Sequence, residues 1–180
     1  MGRSDYGFSQ TGTVSAGPEQ VIAWWFHADR RNEFQKRVET VIVADGEVSV
    51  TYSISAGVRS RTFQWRDRKG WGHHHYGETR LAADGLPAHD GHRFVAPTSE
   101  VITLTSPSGR VGRTVTCSGR TEFNPQSTGH TEISVVHQHV MVGGDWIQRW
   151  AHRRSERKNS DQLFRGLITQ CQAAVGQSDT

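Results

Sequence analysis

The sequence predicts an α+β fold in which a curved antiparallel sheet of about seven strands wraps a long C-terminal helix, with two short helices after the first strand. Three observations carry this. Apolar residues recur at every second position through several segments between residues 47 and 142. Those segments are separated by turn-forming clusters rather than by helical patterns. From residue 145 onward the apolar spacing changes to three and four.

Taken in order, Tyr6 to Ser15 is rich in strand-favouring residues and stops at Gly17-Pro18. Pro18 followed by Glu19 opens a helix through Phe26, because a first helical position needs no amide hydrogen and a carboxylate suits the positive end of the helix dipole. A second short helix is expected from Asp29, as N-cap, through Phe34 to Lys36. A strand from Val38 to Ala44, the turn Asp45-Gly46 and a strand from Glu47 to Ile54 then read as a hairpin, with Val48, Val50, Tyr52 and Ile54 on one face. Further strands are predicted over Val58–Asp67, Val101–Thr105, Arg110–Phe123 and Thr131–Val142. The stretch from Arg68 to Thr98 holds a strand near Trp71–Leu81 and then turn-rich chain, which reads as an added hairpin or a lid. From Asp145 the stripe Trp146, Ile147, Trp150, Leu163, Phe164, Leu167, Ile168, Cys171 and Val175 defines the closing helix.

The chain has 180 residues, enough for a single domain with its own core, and carries a net charge of +3. Its cysteines, Cys117 and Cys171, form no CxxC pair, so neither a disulfide framework nor a thiolate zinc motif is indicated, and a cytoplasmic setting is expected. No run of about 18 apolar residues suggests a membrane span. Arg149, Arg153, Arg154, Arg157 and Lys158 concentrate positive charge on the last helix, but Glu156 and Asp161 interleave with them and no recognised binding motif accompanies them. Nucleic acid is therefore not the expected partner. Homodimerisation stays open.

The order strand, two helices, antiparallel meander, long helix resembles the helix-grip fold of the START/SRPBCC superfamily, which includes polyketide cyclases, lipid-transfer domains and plant hormone receptors. The resemblance covers about residues 8 to 175 and rests on Val14-Ser15-Ala16-Gly17-Pro18-Glu19-Gln20-Val21, on Gly129-His130-Thr131-Glu132-Ile133-Ser134-Val135 and on Leu163 to Cys171. It implies a ligand-sized cavity between sheet and helix that receives a hydrophobic or polycyclic small molecule. The segment Arg59 to Arg68, with Arg61, Phe63, Trp65 and Arg68, is similar to a strand of aromatic-polyketide aromatase/cyclases, in which the downstream arginine matches Lys69.

Candidate residues follow from parity. In the last strand Thr131, Ile133, Val135, His137, His139 and Met141 share the face expected to point inward, so His137 and His139 are candidate proton-transfer groups. The alternative is that they simply pack. Arg113 shares a face with Val111, Val115 and Cys117, and a cation among apolar residues needs a ligand oxygen or a carboxylate such as Glu100 or Glu132. His73 and His75 share a face with Trp71; a metal site there lacks a carboxylate at a usable spacing, and no metal or cofactor is expected. Phe34, Tyr52, Arg61, Trp65, His73, His75, Cys117 and Phe164 complete the expected ligand-binding set, with Trp24, Trp25 and Phe26 near the mouth. The expected function is binding of a hydrophobic carbonyl compound and its cyclisation, aromatisation or dehydration. The alternative is a carrier or sensor of a lipid or aromatic ligand, distinguished by an all-apolar lining.

Overall fold

The computed structural model describes the chain except for residues 1, 44–47, 83, 85, 128 and 177–180; the side chains of 28–31 and 42 are likewise not described. The elements in order are β1 (Arg3–Val14), α1 (Pro18–Phe26), α2 (Ala28–Ile42), β2 (Val48–Ser55), β3 (Val58–Arg66), β4 (Gly72–Arg80), β5 (Ala88–Asp90), β6 (Arg93–Thr105), β7 (Val111–Pro125), β8 (Thr131–Gly143) and α3 (Trp146–Val175). Among these residues no helix is long and apolar enough to cross a membrane.

One curved antiparallel sheet runs in the order β1-β8-β7-β6-β4-β3-β2, with β5 pairing β6 off that path. The segment between β4 and β6 is thus an added hairpin, turning at Gly91 with φ 62°. The β2–β3 hairpin turns on Ala56 and Gly57, both at positive φ, as a two-residue turn matched to strand twist requires.

Two expectations are corrected. Residues 38–42 are helical, so the strand predicted from Val38 does not form and α2 is 15 residues long, beginning before Asp29. The Asp45-Gly46 turn falls outside the described residues. The β-branched run Val38-Glu39-Thr40-Val41 has the composition of a strand, yet helical winding puts Gln35 and Glu39 on one buried face, 4 % and 5 % exposed; tertiary packing overrides propensity here. The second correction concerns α3: Trp146, Ile147 and Trp150 are 71 %, 55 % and 57 % exposed. The inward stripe begins later in the helix than its apolar spacing suggests.

α3 is 30 residues, about 45 Å long at 1.5 Å per residue. Asp145 caps it, accepting from the Gln148 amide at 2.8 Å while the Gln148 side chain accepts from the Asp145 amide at 3.1 Å. One apolar cluster holds it to the sheet, and a second lies among the strands. At one end Val14, Ile22, Trp25, Phe123, Ile133, Phe164, Leu167 and Cys171 pack together; at the other Tyr6, Ile102, Val115 and Met141 do so, with Phe8 against them. Glycines permit the close approach. A Cβ on Gly12 of β1 would lie 2.8 Å from Ile168, and one on Gly166 of α3 would lie 2.5 Å from the tip of the Phe34 ring.

Gly166→Ala provides a test of this packing. In an exposed helix interior the change stabilises by about 1 kcal/mol. Here the methyl meets Phe34, and thermal melts are expected to show a lower Tm; a raised Tm would contradict the packing described.

Candidate functional site

Between the two apolar clusters lies a cavity of about 230 Å³. Its walls are aromatic, with Phe8 from β1, Trp25 and Phe26 from α1, Phe63 and Trp65 from β3, and Phe164 from α3. A bent sheet leaves this gap because a single straight helix cannot follow its curvature. The gap is not lined by apolar groups alone: Glu39, Tyr52, Arg61, His75, Glu100, His137 and Glu156 also face it.

Strand parity brings the charges together. Arg59, Arg61, Phe63 and Trp65 alternate along β3 with Ser60, Thr62 and Gln64, and His75 lies opposite Phe63 in the register with β4. Arg61 Nη1 is 2.9 Å from Glu39 Oε1, and Arg61 Nη2 is 3.7 Å from Glu100 Oε1. Glu39 also accepts from Gln35 at 3.2 Å and from the Tyr52 hydroxyl at 3.3 Å. His75 Nε2 is 3.0 Å from Glu100 Oε2 and 3.1 Å from Arg61 Nη2. That nitrogen has a partner in either state: protonated, it donates to the carboxylate; unprotonated, it accepts from the guanidinium.

Burial acts differently on the groups around this centre. It pushes the Glu100 carboxyl up, but His75 and Arg61 beside it prevail and hold it well below the usual carboxylate range. Arg61 is buried, yet Glu39 and Glu100 raise its pKa above the ordinary value. Glu156 on α3 has no cation at ion-pair distance among the described residues; burial raises it, with His75 opposing and Glu100 adding to the rise. Arg59, 5 % exposed, donates to the Trp25 carbonyl at 3.2 Å and to Asn32 Oδ1, and burial draws its pKa down to about 10.

β8 presents Thr131, Ile133, Val135, His137, His139 and Met141 to the helix side, as alternation predicts. His137 Nδ1 lies 3.2 Å from Cys117 Sγ, and burial lowers its pKa, with Glu100 partly opposing. His139 is 1 % exposed and stacks on both Tyr6 and Phe8, with ring centroids 4.7 Å and 5.1 Å away. Neither of its ring nitrogens has a hydrogen-bond partner among the described residues, and burial followed by His137 takes its pKa to about 4.

Of the residues expected to bind ligand, Tyr52, Arg61, Trp65, His75 and Phe164 line the cavity, as do His137 and His139. Cys117 stands directly behind His137. Three residues lie elsewhere. Phe34 packs into the core against Gly166. His73 stacks on Trp65 at 4.4 Å and reaches Asp67 at 3.4 Å, beside a separate groove on the sheet. Arg113 reaches under the first turn of α3 and donates to the Gln148 carbonyl at 3.2 Å, so neither Glu100 nor Glu132 is its partner. A register shift between Leu104 and Thr105 inserts an extra residue in β7, and Val111 is 64 % exposed instead of continuing the Arg113 face.

Glu39, Glu100 and Glu156 were not among the expected site residues. Glu39 is concealed by its strand-like neighbours. Glu156 was legible: counting back from Phe164 in fours gives Ser160 and Glu156, which places both on the inward stripe. Its basic neighbours suggested a solvated face instead.

Two measurements test the electrostatics. Removing the cation in Arg61→Met leaves Glu39 and Glu100, with side chains 7 % and 19 % exposed, without it; denaturant titration should show a loss of about 3–5 kcal/mol, and a loss under about 1 kcal/mol would mean that solvent screens the pair. For Glu156 the sign is opposite. Its folded pKa is raised, so its contribution is fully present below the unfolded value of 4.5 and is lost as pH rises through the folded value. Glu156→Gln should therefore match the parent near pH 4 and melt higher than the parent near pH 8; an advantage that does not grow with pH excludes a buried carboxylate.

No family model matches the sequence, and no curated protein matches it. Solved structures do. The chain is similar to protein Mll3558 from Rhizobium loti (TM-score 0.57, 14 % identity, 94 % of this chain and 99 % of that one). It is also similar to the Zhui aromatase/cyclase from Streptomyces sp. R1128 (TM-score 0.57, 15 % identity, 98 % and 99 %). A third similar structure is TTHA0849 from Thermus thermophilus (TM-score 0.52, 13 % identity, 94 % and 99 %). At these identities the shared property is architecture, and its order of elements, single meandering sheet and terminal helix are those of a helix-grip fold, which this chain adopts.

Proposed function

We propose that the chain binds a one- or two-ring carbonyl compound in the cavity and catalyses proton transfer on it, leading to ring closure or loss of water. The observation that carries this reading is the convergence of Glu156, His75, Glu100 and Arg61 on an aromatic-walled cavity. A purely passive apolar carrier has no need of buried charge, which is costly to hold out of water. The size of the ligand follows from the volume. A cavity of about 150 Å³ accommodates benzene, so 230 Å³ suits one or two rings and not an extended polycycle.

The lining also supports particular roles. Arg61 Nε and Thr98 Oγ1 are buried and without hydrogen-bond partners among the described residues, leaving donors for a ligand oxygen. Glu156, raised by burial, is suited to take a proton from the carbon beside a carbonyl when ionised. The resulting enolate oxygen would be stabilised by Arg61. The enolate carbon then either attacks a second carbonyl of the same molecule or expels a β-hydroxyl as water, with the proton delivered by Glu156 or His75. The Zhui structure bears the name aromatase/cyclase, and its shared fold makes such chemistry compatible with this framework without assigning it.

A second reading, a carrier or sensor of a small aromatic ligand, is favoured by the pairing of Arg61 with Glu39 and Glu100, which gives the buried charges a structural role. Trp25 and Trp65 line the cavity, so intrinsic fluorescence reports occupancy. Titration with one- and two-ring aromatic ketones and β-hydroxyketones is expected to quench it, and mass analysis of the mixture should show cyclised or dehydrated product. Glu156→Gln should retain quenching while losing about 10²-fold or more in turnover. Quenching without product in the parent protein favours the carrier; absence of quenching across the panel removes both readings.

A further inference from the structure

We propose that Cys117, His137 and His139 form a binding site for a borderline-soft divalent first-row metal ion, zinc in the first instance, on the sheet side of the cavity. The site follows from the pairing of β7 with β8. Cys117 is directly opposite His139, and His137, two residues earlier on β8, projects from the same face. The ligand atoms of all three lie within 4.8 Å of one another. Tetrahedral zinc, with bonds of about 2.3 Å to sulfur and 2.0 Å to nitrogen, needs ligand atoms roughly 3.3–3.7 Å apart. Cys117 Sγ and His137 Nδ1 are already 3.2 Å apart.

The observation that points to a ligand is His139. It is 1 % exposed, and neither ring nitrogen has a hydrogen-bond partner among the described residues. A buried imidazole normally has both nitrogens satisfied, and here one lone pair is available beside a thiol and a second imidazole. Stacking on Tyr6 and Phe8 fixes the plane of the ring, so the position does not depend on a mobile side chain. One thiolate and two imidazoles select zinc over magnesium or calcium.

The surroundings suit a cation. Glu100 and Glu156 are close enough to act electrostatically on Cys117, and Arg61, which acts on His137 in the opposite sense, is itself ion-paired with Glu39 and Glu100. Three protein ligands are one short of a closed tetrahedral shell, and His137 and His139 line the cavity, so the remaining position is available to water or a ligand oxygen. Binding converts the Cys117 thiol to a metal-bound thiolate and releases its proton to solvent. The site is separate from the His73-His74-His75 run, in which His75 is engaged by Glu100 and Arg61. It also does not depend on the reaction proposed above.

Cobalt(II) titration of the whole chain, reduced and freed of metal by a chelator, provides the test. One equivalent is expected to produce a thiolate-to-cobalt charge-transfer band with the intense visible absorption of a four-coordinate ion, and zinc should displace both. Cys117→Ser should abolish the charge-transfer band, His139→Ala should weaken binding by at least about tenfold, and His74→Ala should leave the band intact, each variant being checked for folding by circular dichroism. X-ray absorption at the zinc edge of the unaltered protein gives a reading that needs no variant, with one sulfur and at least two nitrogens expected. A sulfur-free shell, a parent spectrum without the charge-transfer band, or a band that survives in Cys117→Ser would overturn the site.

Discussion

A guanidinium held between two carboxylates is the interaction around which the interior of this protein is arranged. Arg61 belongs to β3, Glu39 to α2 and Glu100 to β6, so one side chain ties a helix to two strands that are not neighbours in the sheet. Buried ions of this kind add little to stability compared with good apolar packing, but once present they cannot be abandoned. They also resist collapse of the space around them, because closing apolar groups over a charge costs more than leaving room for water or ligand. The same tie explains why α2 continues as a helix to Ile42: Glu39 reaches Arg61 from the buried face that helical winding creates.

The apolar clusters at either end of the sheet divide the labour with this centre. One packs α1 and the latter half of α3 against β1, β7 and β8; the other closes the opposite end with Tyr6, Ile102, Val115 and Met141. Between them α3 presents Glu156, Asn159 and Ser160, polar residues at a place where a helix stripe would ordinarily continue apolar. The molecule is therefore firm at its ends and chemically varied in its middle, the arrangement expected where stability and ligand recognition compete for the same interior.

The sheet was legible because alternation survives burial: the inward set of β8 and the pairing of Phe63 with Trp65 on one face of β3 can be read from residue order alone. The site was legible only in part. Glu39 sits among β-branched residues whose local preference misrepresents the helix they occupy. Glu156 sits among arginines that draw attention to the opposite face. Val111 was turned off the Arg113 face by an extra residue in β7, a bulge that leaves no mark on a simple parity count, and Arg113 itself is spent on the Gln148 carbonyl at the start of α3. The ion pairs themselves join residues 39, 61 and 100, a correspondence that only the folded sheet establishes.

The placement of β1 has a consequence for how the chain reaches this state. Arg3–Val14 pairs along its whole length with Thr131–Gly143, so β1 waits for the last strand of its own sheet to be made. Until β8 emerges, β1 carries unpaired amides and carbonyls and lacks a complete surface to fold against, and α3, which packs on β1, waits with it. Contacts of such long sequence separation slow folding by the loop entropy lost before they form. The growing chain thus carries an open strand until β8 is made, and escape from aggregation during that interval depends on the polar residues of β1: Arg3, Ser4, Asp5, Ser9, Gln10, Thr11 and Thr13.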